Sequence, residues 1–239
     1  MRECGFSGLQ ALRKPNRTGD SESARDTAVT IEVTHMKNAL LTYSQKAMAR
    51  PGFFNPCEYE DVPDEMTALF RQHILIPRTT KTNLAPFREK FGFDLPDDIA
   101  DYINLYWHSY IAGAYDCLKQ SEAGGYYQFD EGPILFSVLK HTGETDDDVL
   151  FQKYGVCALT EEFYQDWEEH AEENPSEAHL LQEAKQFICI GWTGYAAHSI
   201  LYQRATGEIY LESWRPDKVA DDKPIATSLS ALISGIYFR

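Results

Sequence analysis

The chain has 239 residues, with 37 acidic against 22 basic side chains, a formal net charge of −15, and 43% hydrophobic residues. That apolar fraction can bury a core without metal or disulfide support, which excludes a disordered or low-complexity chain. The charge disfavours nucleic acid and anionic lipid as direct partners.

Residues 1–35 carry balanced charges, many Gly, Ser, Thr and Asn, and weak apolar periodicity. They read as a disordered or non-native leader ahead of one domain over 36–239, with Met36 a candidate natural start. The segment MKNALLTYSQKAM (36–48) is amphipathic at helical spacing. Three prolines between Pro51 and Pro63 predict a loop. A short helix is expected over Asp64–His73, a strand at HILIP (73–77), and helix again over Leu84–Phe91. The next helix should start with Asp94 or Leu95 near the cap, Pro96 in the first turn, and Asp97 and Asp98 at the positive dipole end. Ile99, Tyr102, Ile103, Tyr106, Trp107 and Tyr110 continue it as a core-facing stripe.

Gly124-Gly125 mark a turn, and YYQFD (126–130) and PILFSVL (133–139) read as strands. Residues 142–148 form a polar turn. Thr160 is placed as an N-cap, with Glu161 and Glu162 in the first turn of a helix that ends before Pro175. A further helix is expected from Asn174 as cap, with Pro175 first and Glu177 closing a capping box. The last third holds the strands FICIG (187–191), HSILYQ (198–203) and EIYLES (208–213). Residues 204–207 form a hairpin turn with Gly207 at positive φ. A closing helix spans Pro224–Ile236. These elements define an α+β fold, a single compact domain with a mixed, mostly antiparallel sheet flanked by helices.

Tests for chemistry are negative. There is no G-x-S-x-G elbow and no phosphate-binding glycine loop, and Gly191-Trp192-Thr193-Gly194 reads as a turn between strands. His170 and His179 are nine apart across Pro175, which suits surface histidines rather than metal ligands. Nothing apolar beside Asp146, Asp147 and Asp148 would raise one pKa for acid–base work. The five cysteines are odd in number and widely spaced, which fits reduced thiols in a cytosol. No apolar run reaches membrane-spanning length. No cofactor or metal is expected, and a non-enzymatic role is.

Residues 144–183 hold thirteen acidic side chains against one basic, Lys153, so this window carries −12 of the −15. Phe163, Tyr164 and Trp167 interleave the acids. Such a surface attracts Lys- and Arg-rich polypeptides.

Several segments in succession resemble one family. They are Asn55-Pro56-Cys57, residues 74–113, ILFSVLKHTGETDDD (134–148), FICIG (187–191), Thr206-Gly207-Glu208-Ile209 with Glu212, and Pro224–Ile233. Over roughly residues 37–235 their order is similar to the Syd family of SecY-interacting proteins, within the SUKH superfamily. VLFQKYGVCALTEEFYQDW (149–167), the long acidic stretch 160–185 and Trp192–Tyr195 depart from that pattern. The resemblance implies a cytosolic protein that docks on the cytoplasmic face of the bacterial inner membrane through SecY. The contact would be an acidic concave surface against basic SecY loops. A SUKH-type immunity protein that neutralises a basic, nuclease-like toxin is the alternative. The expected contact residues are Glu144, Asp146, Asp147, Asp148, Glu161, Glu162 and Asp166, with Tyr106, Tyr110 and Gly113 shaping the groove.

Overall fold

No glycine or proline falls between Asp20 and Arg50, and helix α1 (Asp20–Met48) runs unbroken through that stretch. The computed structural model describes residues 20–50, 62–115, 132–193 and 198–238, with side chains from Thr34 onward. The boundary expected before Met36 therefore falls inside a continuous helix, while residues 1–19 lie outside the described residues. The amphipathic reading from Met36 is observed: Met36, Ala39, Leu40, Tyr43 and Ala47 are buried, a stripe at helical spacing.

Helices α2 (Asp64–Phe70) and α3 (Ala85–Phe91) flank strand β1 (Ile76–Pro77). Gly92 ends α3 in the left-handed conformation (φ 79°) that glycine adopts without strain. Helix α4 spans Asp97–Leu105, with Pro96 at the cap position, so it starts later than expected. It also stops sooner. Tyr106 and Trp107 form β2 and pair antiparallel with β1, Trp107 opposite Ile76. Aromatic residues tolerate strand and helix alike, and pairing with HILIP decides between them.

The main sheet is antiparallel with strands in chain order: β3 (Ile111–Ala112), β4 (Pro133–Leu135), β5 (Phe187–Thr193), β6 (Ser199–Gln203) and β7 (Ile209–Leu211). The hairpin turn between β6 and β7 has Gly207 at φ 76°, as read from the sequence. The expected strand YYQFD lies outside the described residues. Gly191, Trp192 and Thr193 extend β5 instead of forming a turn. The reason is close strand approach, since a Cβ on Gly191 would overlap the carbonyl oxygen of Ile134 on β4. Both sheet edges are covered from the C-terminal segment. Ala114, just beyond β3, bridges Tyr237, and β7 is flanked by Ile209–Ala226 and Glu212–Ala220 bridges.

Helix α5 (Val156–Glu173) lies along β5, with α6 (His179–Ala184) against it. Gly155, rather than Thr160, occupies its cap position. Thr160 is fully buried one turn inside, its hydroxyl 3.4 Å from the Cys189 carbonyl. Asn174 and Pro175 open a short 3₁₀ turn before α6. Glu177 turns to His170 at 2.8 Å instead of closing a capping box. Helix α7 (Leu229–Gly235) starts later than expected because Ile225 and Ala226 are held by Ile209; Ser228 caps it by accepting from the Ala231 N–H. Helices α1, α4 and α7 pack together, and Lys46 of α1 donates to the Ser234 and Ile236 carbonyls at the end of α7. Tyr102 of α4, fully buried, donates to the Phe136 carbonyl at 2.8 Å.

Candidate functional site

The acidic loop 144–148 is tied down by its own carboxylates. Glu144 accepts from the His141 N–H at 3.4 Å and from Gln152 Nε2 at 3.5 Å. Asp146 faces Arg78 Nη2 at 3.9 Å and Lys140 Nζ at 3.5 Å, and its backbone carbonyl accepts from the Thr82 hydroxyl at 2.8 Å. Asp147 Oδ1 accepts from the Asn83 N–H at 2.7 Å. Asp148 Oδ2 accepts from both the N–H and the hydroxyl of Thr145, which hold its carboxyl below the usual range. Beneath the loop the fully buried Arg78 guanidinium stacks 3.8 Å from the Trp107 ring centroid. It donates to the Ile103 carbonyl at 2.8 Å and the Thr82 hydroxyl at 3.1 Å. Asp146 and Asp147 thus latch the loop onto residues 78–83 ahead of α3, and Glu144 and Asp148 close the latch loop on itself.

Helix α5 divides the remaining acids. Val156, Thr160, Phe163 and Trp167 are buried and define its inner stripe. At about 100° per residue, Glu161 and Glu168 fall on one flank of that stripe, and Glu162, Asp166 and Glu169 on the other. Over the first four turns of the helix the first flank is neutralised: Glu161 pairs with Lys90, and Glu168 with Lys185 at 3.1 Å, while Glu172 in the last turn has no cation within ion-pair distance among the described residues. On the second flank no cation lies within ion-pair distance of Glu162, Asp166 or Glu169 among the described residues. Partial burial, then the charges of Glu162, Glu212 and Glu169, push the Asp166 carboxyl above its ordinary value. Glu212 reaches this flank from the end of β7, where its carboxylate accepts from the Ser199 N–H at 3.1 Å.

Strand pairing carries the surface onward. Trp192 lies opposite Ser199, and Ser199 is hydrogen-bonded to Glu212, so the three share one row of the sheet. Trp192 packs against Tyr110 (ring centroids 5.5 Å apart) and Tyr154 (5.8 Å), with Tyr110 and Tyr154 6.3 Å apart. At the other side His198 stacks on the exposed Trp214 at 3.8 Å. Glu162, Asp166, Glu169 and Glu212 thus lie on one surface with the exposed rings of Tyr154 and Trp214 and the half-buried rings of Tyr110 and Trp192, the complement of a segment bearing cations and apolar side chains.

Of the ten residues expected from the sequence, Glu162, Asp166 and Tyr110 belong to this surface. Glu144, Asp146, Asp147 and Asp148 belong to the latch, and Glu161 to the neutralised flank. Tyr106 is buried in β2, and Gly113 sits where a Cβ would overlap the Ile236 side chain. Glu169, Glu212, Trp192 and Tyr154 join the surface without having been expected as contact residues. The spacing of 162, 166 and 169 opposite Phe163 and Trp167 was a readable signal for Glu169, whereas only strand order brings in Glu212.

Among the described residues, burial holds one histidine and two cysteines in their neutral forms. His108 is fully enclosed, its Nδ1 donating to the Ser109 carbonyl at 2.7 Å, and burial drives its pKa down to about 4. Burial pushes the Cys157 and Cys189 thiols up to about 12, which leaves them protonated and poorly nucleophilic. Among the described residues no cluster of three His, Cys, Asp or Glu could hold a metal ion, and no helix is long and apolar enough to cross a membrane. No family model and no curated protein matches the chain.

Proposed function

We propose that this protein is a non-enzymatic docking module that grips a Lys- and Arg-rich polypeptide segment on the second flank of α5. The observation that carries the reading is the uneven neutralisation of that helix. Glu161 and Glu168 have lysine partners, while Glu162, Asp166 and Glu169 converge on Glu212 without one. A like-charge cluster costs stability in the free protein, and a cationic partner relieves that cost. Exposed ion pairs contribute about 0–1 kcal/mol each, so binding is multi-point, modest and salt-sensitive.

The occupants that the Syd-like segments imply are the basic cytoplasmic loops of SecY. This places the protein in the cytoplasm, and at the inner membrane only through that partner. The test is capture of synthetic SecY loop peptides at low and high salt. Reversing Glu162, Asp166 and Glu169 to Lys abolishes capture, while Glu161→Gln with Glu168→Gln leaves it intact. Undiminished capture by the triple reversal would reject the assignment. Loops that fail to bind while a purified basic nuclease domain does, through the same three acids, would move the role to immunity.

A further inference from the structure

The opposite flank of α5 borders an open groove of about 470 Å³, lined by Lys90, Phe91, Phe93, Tyr164, Lys185 and Arg204 with Glu161, Gln165 and Glu168. Its floor is aromatic. Phe91 meets Tyr164 edge-on at 5.9 Å and lies 6.2 Å from Phe93, and all three rings are half-buried. The Tyr164 hydroxyl is turned away, donating to the Phe187 carbonyl at 2.7 Å, so its ring rather than its oxygen serves the groove. Two ion pairs cross from α5 to the facing elements, Glu161–Lys90 and Glu168–Lys185. Seven residues separate the two acids on α5, which spaces the bridges about 10 Å apart. That length admits one ring with a short substituent.

Three cations therefore meet two carboxylates, and the surplus cation is Arg204. Its guanidinium stacks 3.4 Å from the Phe93 ring centroid, and Nη1 donates to the Lys185 carbonyl at 3.0 Å. No carboxylate lies within ion-pair distance of it among the described residues. Stacking and the Nη1 bond fix the plane of the guanidinium, so its remaining N–H donors form a preset fork for one carboxylate. We infer that this groove binds a small aromatic monocarboxylate, its ring on Phe91 and Tyr164 and its carboxylate on Arg204. The single surplus charge sets the single negative charge of the ligand. A dianion would have to displace Glu161 or Glu168 from its lysine. The groove and the acidic docking surface lie on different flanks of α5, so this assignment stands apart from the polypeptide-binding role.

The test uses the full chain, isotopically labelled and followed by amide chemical shifts. The probes are phenylacetate, its neutral analogue phenylacetamide, and N-acetylphenylalanine, which represents the C-terminal residue of a polypeptide. Phenylacetate gives saturable shifts centred on Phe91, Phe93, Tyr164 and Arg204, with a dissociation constant on the order of 1 mM for so small a ligand. Phenylacetamide binds about tenfold more weakly, because the charge-assisted bonds to Arg204 are lost. Arg204→Gln, with unchanged melting temperature, removes the preference of acid over amide, and Arg204→Lys restores part of it. Tighter binding of N-acetylphenylalanine assigns the site to a chain terminus, and tighter binding of phenylacetate to a free acid. Absence of saturable shifts at tens of millimolar, equal affinity for acid and amide, or an undiminished preference in Arg204→Gln would overturn the proposal.

Discussion

Asp166→Asn should stabilise the protein while weakening its hold on a cationic partner. Asp166 lies one turn from Glu162 at i−4 and from Glu169 at i+3, and Glu212 adds a third like charge from β7. A like-charge helical pair of this spacing costs about 0.2–0.5 kcal/mol. Three repulsions therefore sum to about 1 kcal/mol in the wild type. In a chain of this size that corresponds to a gain of roughly 2–4 °C in melting temperature. The pH dependence has a definite sign. Because the folded-state pKa of Asp166 is raised, the native state holds the proton more tightly than the unfolded chain, and stability is lost as pH rises through that window. The advantage of Asn is thus full at neutral pH and vanishes below the ordinary Asp value of about 3.9. It also shrinks in 1 M salt, where the Debye length falls to about 3 Å. The assay is thermal unfolding by circular dichroism at low and high salt, at pH 7 and pH 4. A melting temperature that falls, or a gain that ignores both salt and pH, would refute the picture of α5 carrying an unneutralised flank.

Two further substitutions probe the scaffold. Arg78→Met keeps the volume over Trp107 but leaves the Ile103 carbonyl without its donor and Asp146 with Lys140 alone, so stability drops by about 1–3 kcal/mol in urea titration, and the Thr82 and Asn83 amides exchange faster; unchanged exchange would show that the latch does not depend on Arg78. His108 is neutral in the fold, with a pKa near 4 against an ordinary value of 6.5, so stability is present above that ordinary value and is lost as pH falls from about 6.5 to about 4. The full loss from this group is about 3 kcal/mol, and His108→Asn, which preserves a donor toward the Ser109 carbonyl, flattens the acid limb by that amount; an unaltered pH profile would refute the assignment.

Local rules carried much of the architecture. The β-branched and aromatic runs at FICIG and HSILYQ, the Gly207 turn and the apolar periodicity from Met36 each specify their element through nearest-neighbour chemistry. Boundaries were less legible wherever a distant strand competes with a helix. Tyr106 and Trp107 fit a helical stripe, yet pairing with Ile76 and Pro77 recruits them to a sheet. Ile225 and Ala226 look helical until Ile209 claims their backbone groups.

The acidic surface divides in the same way. Composition and order along the chain determined that residues 144–183 are strongly anionic, because charge is a property of the side chains themselves. Which of those charges are free was decided by tertiary structure alone. Lys90, Lys185 and Arg78 arrive from other segments to neutralise Glu161, Glu168 and Asp146, and the turn after β4 brings Lys140 back onto Asp146 as well. Strand order brings Glu212 beside Asp166 instead of a cation. An ion pair depends on the distance between residues far apart in the chain, and the fold sets that distance.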